Sequence, residues 1–487
     1  MSRKIKVNAS GYSQHGASKS RPALLKWYAS SKSPHEDISQ NIKILRERSR
    51  DLYAGGGPLG RGAIDRIVLN AIGSGLKLNV RIDPERLNMS ESKAREWANQ
   101  TEAEFSYWAE NKDCSISRML NFYEIQALAM KSVLLDGECL VLLPMRTIES
   151  NAYSLCIQLI ESERLESPTE KYLDRMIDEG VELDVSGEPV AYWIANRNPN
   201  AEILHQPLLE HKRIRVFGYN SGRRNIIHLM NPERINQHRG VPFLAPVIEV
   251  LRQLGRYTDA ELMAAVVSGM YAIFFEHEPR DEMNIGEEDF AVEEGLGESS
   301  GLEGISQEQL YGAIMDLPEG VKPVSVSPNR PNVSFDAFIQ SLVRQIGSAL
   351  GLPAELILMQ FTSSYSASRG ALLEAWKLFK YWRSWFAMNF CQVIYEEWLS
   401  EAVLLGRIKA PGYFDDDVIR KAYAWAEWTG PSQGQLDPVK EVNAAALRVQ
   451  HGFSTRQKET AELTGEDYDL NVRQLRREEA LRNAGAK

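Results

Sequence analysis

The chain has 487 residues, 43% of them hydrophobic and 25% charged, and its 66 acidic residues outweigh 56 Lys and Arg to leave a formal net charge of −10. These are globular values, and the length exceeds one compact core, so two or three structural regions are expected. The acidic balance is not that of a protein that binds DNA tightly, which presents a basic surface and releases counterions. An acidic wall repels phosphate and suits a protein that lets DNA pass.

The four cysteines, Cys114, Cys139, Cys156 and Cys391, include no CxxC pair and have no His at metal-ligand spacing. They read as reduced buried thiols rather than ligands or disulfides. The start lacks an apolar core of signal-peptide length, and no run approaches the roughly 18 uncharged apolar residues of a membrane span. The reading is a cytoplasmic product with no metal, no cofactor and no membrane partner.

Residues 1–39 are polar and rich in Ser, Lys and Gly, and read as a loosely ordered arm. Two helical pieces follow over 40–72, broken at Gly55-Gly56-Gly57-Pro58; the first carries Arg46, Arg48 and Arg50. Leu76 to Val80 alternates as a strand does. A polar helix over 90–110 holds Trp97, Phe105 and Trp108, and a more apolar helix over 117–136 ends at Asp136-Gly137. Strands are predicted over Glu138 to Met145, Tyr153 to Ile160, Val190 to Ile194 and Asn225 to Leu229, separated by turn signals such as Ser186-Gly187. This half is α+β.

Residues 244–270 predict a helix of about seven turns. It carries Leu244, Val247, Leu251 and Leu254, with small residues (Ala264, Ala265, Ser268, Gly269) near its end. Residues 276–304 hold eleven acids against Arg280 and read as a solvated loop. A β segment is expected within 312–328. Over 334–350 a helix places Phe335, Phe338, Leu342, Ile346 and Leu350 on one stripe. A short apolar stretch then leads into a polar loop, Thr362 to Arg369. The longest helix is predicted over 370–405, with aromatic residues from Trp376 to Trp398 on more than one face, as in a helix buried from several sides. The tail, 437–487, is helical and charged.

No stretch carries catalytic chemistry. The glycine run 55–62 lacks the Lys and Ser/Thr of a phosphate-binding loop and follows no strand, so it reads as a helix–helix hinge. Gly73-Ser74-Gly75 leads into a strand, the reverse of a dinucleotide turn. No GxSxG elbow or HExxH occurs. His228 reads as a satisfied core or surface imidazole, and Asp65 and Asp136 have no evident carboxylate partner. The loop 362–369 stands apart: six of its eight residues bear hydroxyls, more than helix capping by Ser366 or Ser368 requires.

Several segments in order resemble the lambda family of phage portal proteins. They are Arg50-Asp51-Leu52-Tyr53, Gly62-Ala63-Ile64-Asp65, Asn70 to Leu76, Asp136-Gly137-Glu138, Ile227-His228-Leu229 with Arg234, Gln237 and Arg239-Gly240-Val241-Pro242, Tyr257 to Glu261, Tyr365 to Leu372, and Gly452-Phe453-Ser454-Thr455 with Gly465-Glu466-Asp467. The resemblance runs from about residue 40 to 480.

It implies a structural protein rather than an enzyme: a ring, usually of twelve copies, at one capsid vertex of a tailed phage, through which double-stranded DNA is packaged and ejected. The implied partners are further copies of the chain, the DNA, the terminase large subunit, a head–tail connector or adaptor, and capsid and scaffold proteins. The implied location is the virion, with assembly in the host cytoplasm. The implied fold is α+β, with an α/β wing, a two-helix stem, a small α/β clip, a long aromatic-rich helix and an α-helical crown.

The arm 1–39 would precede a wing at 40–243. A stem helix would follow at 244–270, a clip at 271–333 and a second stem helix at 334–356. A tunnel loop would lie at 357–369, the long wing helix at 370–412 and the crown at 413–487. Gln360, Thr362, Ser363, Ser364, Tyr365, Ser366 and Arg369 would face DNA, with Arg369 turned either to DNA or to an acid of a neighbouring subunit. The competing readings are another head protein, such as a shell or connector subunit, and a packaging ATPase.

Overall fold

The computed structural model describes residues 16–18, 21–28, 31–55, 57–147, 149, 151–171, 174, 176–200, 208–270, 274–277, 321–324, 334–361, 364–434 and 437–485. The chain divides into two compact units, residues 1–252 with 343–487, and residues 253–342.

The first unit is built on helices Ile42–Ala54, Pro58–Ala71 and Phe122–Asp136 and two small sheets. The glycine run 55–62 breaks the helix only at its start, since Pro58 to Gly62 already belong to the second helix. Gly55 ends the first helix and Pro58, whose missing N–H costs nothing at a first helical position, opens the second. Gly60 allows close packing, since a Cβ there would stand 3.4 Å from both the Leu52 carbonyl oxygen and the Leu244 side chain. The third helix starts at Phe122, later than the predicted 117, because Asn121 and Glu124 form a reciprocal capping box there.

Glu138–Leu142 is the central strand of a three-stranded antiparallel sheet, flanked by Gln158–Ile160 and Ile226–Met230. A four-stranded meander runs Ile177–Asp178, Val181–Leu183, Pro189–Ala195, His211–Arg215. Leu140, Ile160 and Ile226 of the first sheet and Val181, Tyr192 and Ile194 of the second bury into one cluster, which joins the sheets.

A second core is aromatic. Phe105 of helix Glu91–Glu110 meets Tyr395, Trp398 and Phe122 edge-on, with centroids 5.0–5.7 Å apart. The long aromatic helix differs from expectation in two ways. It begins at Tyr365, not 370, because Ser364 caps it. It is also not uniformly α: a π turn, Ala387–Cys391, separates Tyr365–Phe386 from Gln392–Leu404. The wider turn rotates the register, so that Phe390, Tyr395 and Trp398 bury along with Phe386 before it, while Tyr381 stays exposed.

The segment expected to be a helical crown is also not purely helical. Between helices Asp417–Ala424 and Pro438–Gln450 it supplies strand Ala426–Thr429, which pairs antiparallel with Lys77–Val80. All four cysteines are buried and free.

The second unit holds most of helix Ile248–Met270, the antiparallel pair Phe274–His277 with Val321–Val324, and the start of helix Phe335–Leu350. Tyr257 stacks on Phe335 at 5.5 Å and meets Phe338 edge-on at 5.1 Å. The expected β segment is therefore present at its centre, Val321–Val324. The acidic stretch 278–304 lies outside the described residues.

Candidate functional site

The hydroxyl-rich segment is less of a loop than its composition suggested. Helix Ala354–Leu358 ends at Met359 in the left-handed conformation, φ 54°. Gln360 then folds its N–H back to the Glu355 carbonyl (3.1 Å). Thr362 and Ser363 lie outside the described residues. The Ser364 Oγ accepts from the Ala367 N–H at 3.4 Å, so the cap is Ser364 rather than Ser366 or Ser368. Tyr365 is 56% exposed, and Ser366 is exposed beside it on the first helical turn. The structure thus brings Ser364, Tyr365 and Ser366 to one solvent-facing helix start.

Arg369 lies one turn further on, half-buried, with its guanidinium 3.9 Å from Glu441 of the same chain. The acid sits in helix Pro438–Gln450, next to the Asp437–Lys440 pair (2.8 Å).

Below that contact opens a cavity of about 1220 Å³ between the Tyr365–Phe386 helix, strand Ala426–Thr429 and the C-terminal helices. Its charges are largely matched. Lys380 reaches Glu462 (3.3 Å), Arg448 holds Glu459 through two bonds (2.5 and 2.9 Å), and Arg81 meets Glu427 (3.1 Å). Arg383 has backbone partners instead. It donates to the carbonyls of Asn70, Ala71 and Pro431 (2.8–2.9 Å), stacks over Trp376, and is pushed down to about 10 by burial. It closes the C-terminus of helix Pro58–Ala71, where carbonyls lack helical partners and a cation is favoured.

The most concentrated charge lies in a buried centre assembled in part from the motifs that carried the family resemblance. Glu138, wholly buried, accepts from Arg46 Nη2 (2.6 Å), Arg239 Nε (3.0 Å) and the Gly240 N–H (2.7 Å), and its Oε2 lies 3.2 Å from His228 Nε2. Burial alone would raise its carboxyl, but Arg239, Arg46 and His228 hold it well below the usual range. Asp136 is bound by Arg50 Nε (2.7 Å), whose other nitrogen takes Glu163 (2.6 Å). Burial nonetheless raises Asp136, with the Arg50 contact opposing.

His228 is the satisfied core imidazole its apolar strand suggested. Asp65 is held by the Tyr53 hydroxyl (2.9 Å), with Lys131 and Arg61 each 3.5 Å away. Arg46 and Arg239 were the residues hardest to place from sequence: each looks like a surface cation until the fold sets it against Glu138. Both Glu138 oxygens are hydrogen-bonded and the carboxylate is wholly buried, which is the arrangement of a structural lock. Among the described residues no cluster of His, Cys, Asp and Glu could hold a metal, and no helix is long and apolar enough to cross a membrane.

Comparison with known proteins gives four matches of note. The family model described as phage portal protein, lambda family, matches residues 20–383. Portal protein B of Escherichia phage lambda is 24% identical over 482 residues, which span 95% of this chain and 89% of that protein. The portal protein of Escherichia phage N15 is 24% identical over 476 residues, 94% and 88% of the two chains. Among solved structures, the neck of a native gene transfer agent particle with C12 symmetry is similar at a TM-score of 0.43 and 13% identity, over 86% of this chain and 94% of that one.

Proposed function

The chain belongs to the lambda family of phage portal proteins, and from that premise we propose that it assembles as a closed ring of about twelve copies at one capsid vertex, the channel for double-stranded DNA during packaging and ejection. The observation that carries this reading is the family match through residues 20–383.

In the ring, the segment 357–369 is the DNA-facing element. Ser364, Tyr365 and Ser366 present hydroxyls, which touch phosphate without neutralising it, and Gln360, Thr362 and Ser363 belong to the same proposed contact. Arg369, already matched by Glu441, adds little grip. A net charge of −10 on every subunit makes the assembly acidic, and an acidic conduit lets a polyanion slide. Residues 244–270 and 334–356 serve as the stem, 271–333 as the clip and 413–487 as the crown, with the terminase large subunit and the head–tail connector docking on the ring. Capsid and scaffold proteins complete the partners.

Two measurements test this. Negative-stain images of the purified protein should show a closed ring with a hole wide enough for a duplex; a monomer at all concentrations would remove the reading. Deleting residues 362–366 should leave the ring intact and impair packaging or DNA retention; normal packaging would remove the role of that segment.

A further inference from the structure

Two of the four buried thiols are brought side by side. Ser115 bridges Ile157 in the parallel sense: the Ile157 N–H donates to the Cys114 carbonyl (2.7 Å), and the Ile116 N–H donates to the Ile157 carbonyl (3.0 Å). One residue back along both segments, Cys114 stands beside Cys156. Residues opposite each other across such a pair have α-carbons roughly 4.8 Å apart, inside the window of about 4.4–6.8 Å that a disulfide needs. The Cys156 Sγ lies 3.4 Å from the Asp113 carbonyl oxygen, so its side chain leans toward the segment that carries Cys114. The other two thiols are placed differently: Cys139 stands opposite Leu229 in the central sheet, and Cys391 closes the π turn.

We propose that Cys114 and Cys156 are a redox site, reduced while the chain is made and joined as a disulfide staple once the protein leaves a reducing cytoplasm. The oxidant is a small peroxide, a class compact enough to reach a buried sulfur. The Cys156 thiolate attacks one peroxide oxygen and becomes a sulfenic acid; the O–O bond breaks, and the departing hydroxide takes up the thiol's proton as water. The Cys114 sulfur then attacks the Cys156 sulfur. The S–O bond breaks, and hydroxide leaves with the Cys114 proton as a second water. Two thiols and one hydrogen peroxide thus become one disulfide and two waters. Cys156 is the first to react. Burial raises both thiols, but Cys114 is pushed up to about 12, with Cys156 adding to the rise, whereas Arg146 opposes the rise at Cys156. Both stay mostly protonated at neutral pH, so closure is slow.

The staple closes a long loop. Helix Phe122–Asp136 and strand Glu138–Leu142 lie between the two cysteines, so the link encloses both elements that bring Asp136 and Glu138 to the buried charged centre. A cross-link constrains the unfolded chain more as the loop it closes lengthens. A cytoplasm keeps such a pair reduced, and a particle outside the cell does not. The timing of closure rests on the portal reading; the cross-link itself does not.

The test is peptide mapping of the full-length protein, purified with reductant, freed of it and held overnight in hydrogen peroxide near neutral pH. The sample is quenched in acid, unfolded and alkylated before digestion. The map should show one cross-linked pair, Cys114 with Cys156, which dithiothreitol separates, while Cys139 and Cys391 are recovered alkylated. The urea midpoint of the oxidised protein should rise above that of the reduced protein and return with dithiothreitol. Four free thiols after treatment, sulfinic acid at either residue in place of the link, or a link through Cys139 or Cys391 overturns the proposal. So does a link that leaves the midpoint unchanged or lower. Cys114→Ala should show no rise on oxidation, and a rise equal to that of the wild type would assign the effect to other residues; if this variant does not fold, the wild-type map still decides. Mapping released particles separates the two readings: a pair that links in the purified protein but stays reduced in particles defeats the timing alone, and a chain that links but forms no ring defeats the portal reading alone.

Discussion

Gly137 and Gly240 cross with their backbones in contact: a Cβ on Gly240 would lie 2.0 Å from the Gly137 carbonyl oxygen, and one on Gly137 would lie 2.5 Å from the Gly240 carbonyl carbon. The crossing fixes the lock, because it delivers the Gly240 N–H to Glu138 at 2.7 Å. Either glycine changed to Ala forces two chain segments apart, and Gly137 also holds φ 87°. We expect Gly137→Ala and Gly240→Ala each to cost about 2–4 kcal/mol. Gly187→Ala is the control: φ is 86° there, but no atom lies within 4 Å of the added carbon. It should cost only about 1 kcal/mol. Denaturant midpoints of the three variants check this; equal losses would show that conformation, not the crossing, is at stake.

Glu138→Gln leaves the Arg46 and Arg239 guanidiniums buried without their shared countercharge. The expected loss is about 3–5 kcal/mol, seen as a lower urea midpoint or as insoluble protein. The wild-type centre should also fail in acid. A carboxyl held below its unfolded value contributes stability that is complete above about pH 4.3 and is lost as pH falls through its native value. Acid unfolding of the wild type should therefore be cooperative with loss of this centre, and Glu138→Gln should blunt that dependence.

The family signature and most helices were legible in the residues, because the stop at Gly137 and the stripe Phe335, Phe338, Leu342, Ile346 and Leu350 are local signals. Asp136, Glu138, His228 and Arg239 were visible as motif members, yet not as one centre. Their meeting depends on strand Ile226–Met230 pairing with Glu138–Leu142, a contact across some ninety residues that periodicity does not encode. Strand Ala426–Thr429 was lost for the same reason: four residues between helices become a strand only because Lys77–Val80 lies beside them. The start of the long helix was misplaced because polar Tyr365 to Arg369 reads as loop until Ser364 is recognised as its cap.

Glu102 gives the opposite pH behaviour to Glu138. It accepts from the Val80 N–H (2.8 Å), while Asp467 accepts from the adjacent Asn79 amide (3.3 Å), so two carboxylates hang on successive residues of one strand. Burial pushes Glu102 up to about 7; Asp467 adds to the rise, and the Val80 N–H, Arg81 and Arg473 oppose it. Between about pH 4.3 and 7 the folded state binds a proton that the unfolded chain does not, so this group's stabilisation fades as pH rises through that window. Glu102→Gln should become more stable relative to wild type between about pH 5 and pH 8, by roughly 2–3 kcal/mol. Urea midpoints of both proteins at the two values test it; a constant difference would refute the assignment.

The π turn at Ala387–Cys391 predicts a tolerated deletion. A π turn holds one residue more than the α-helix it interrupts, and here Ala387, Phe390 and Cys391 point into the core while Met388, 62% exposed, points out. Removing Met388 should convert the turn to α geometry, with Phe386 and Phe390 still stacked near their present 4.8 Å and Tyr395 and Trp398 still reaching Phe105. The cost should stay under about 2 kcal/mol. Removing Tyr381, which is also exposed but lies in regular helix, has no spare residue to absorb it. Everything downstream would turn by about 100° and drag Phe386, Phe390 and Trp398 off their partners. Thermal melts and tryptophan fluorescence of the two deletions should separate cleanly, one near wild type and one unfolded, whereas two equally damaged proteins would mean the π turn is needed for its own shape and not as a register correction.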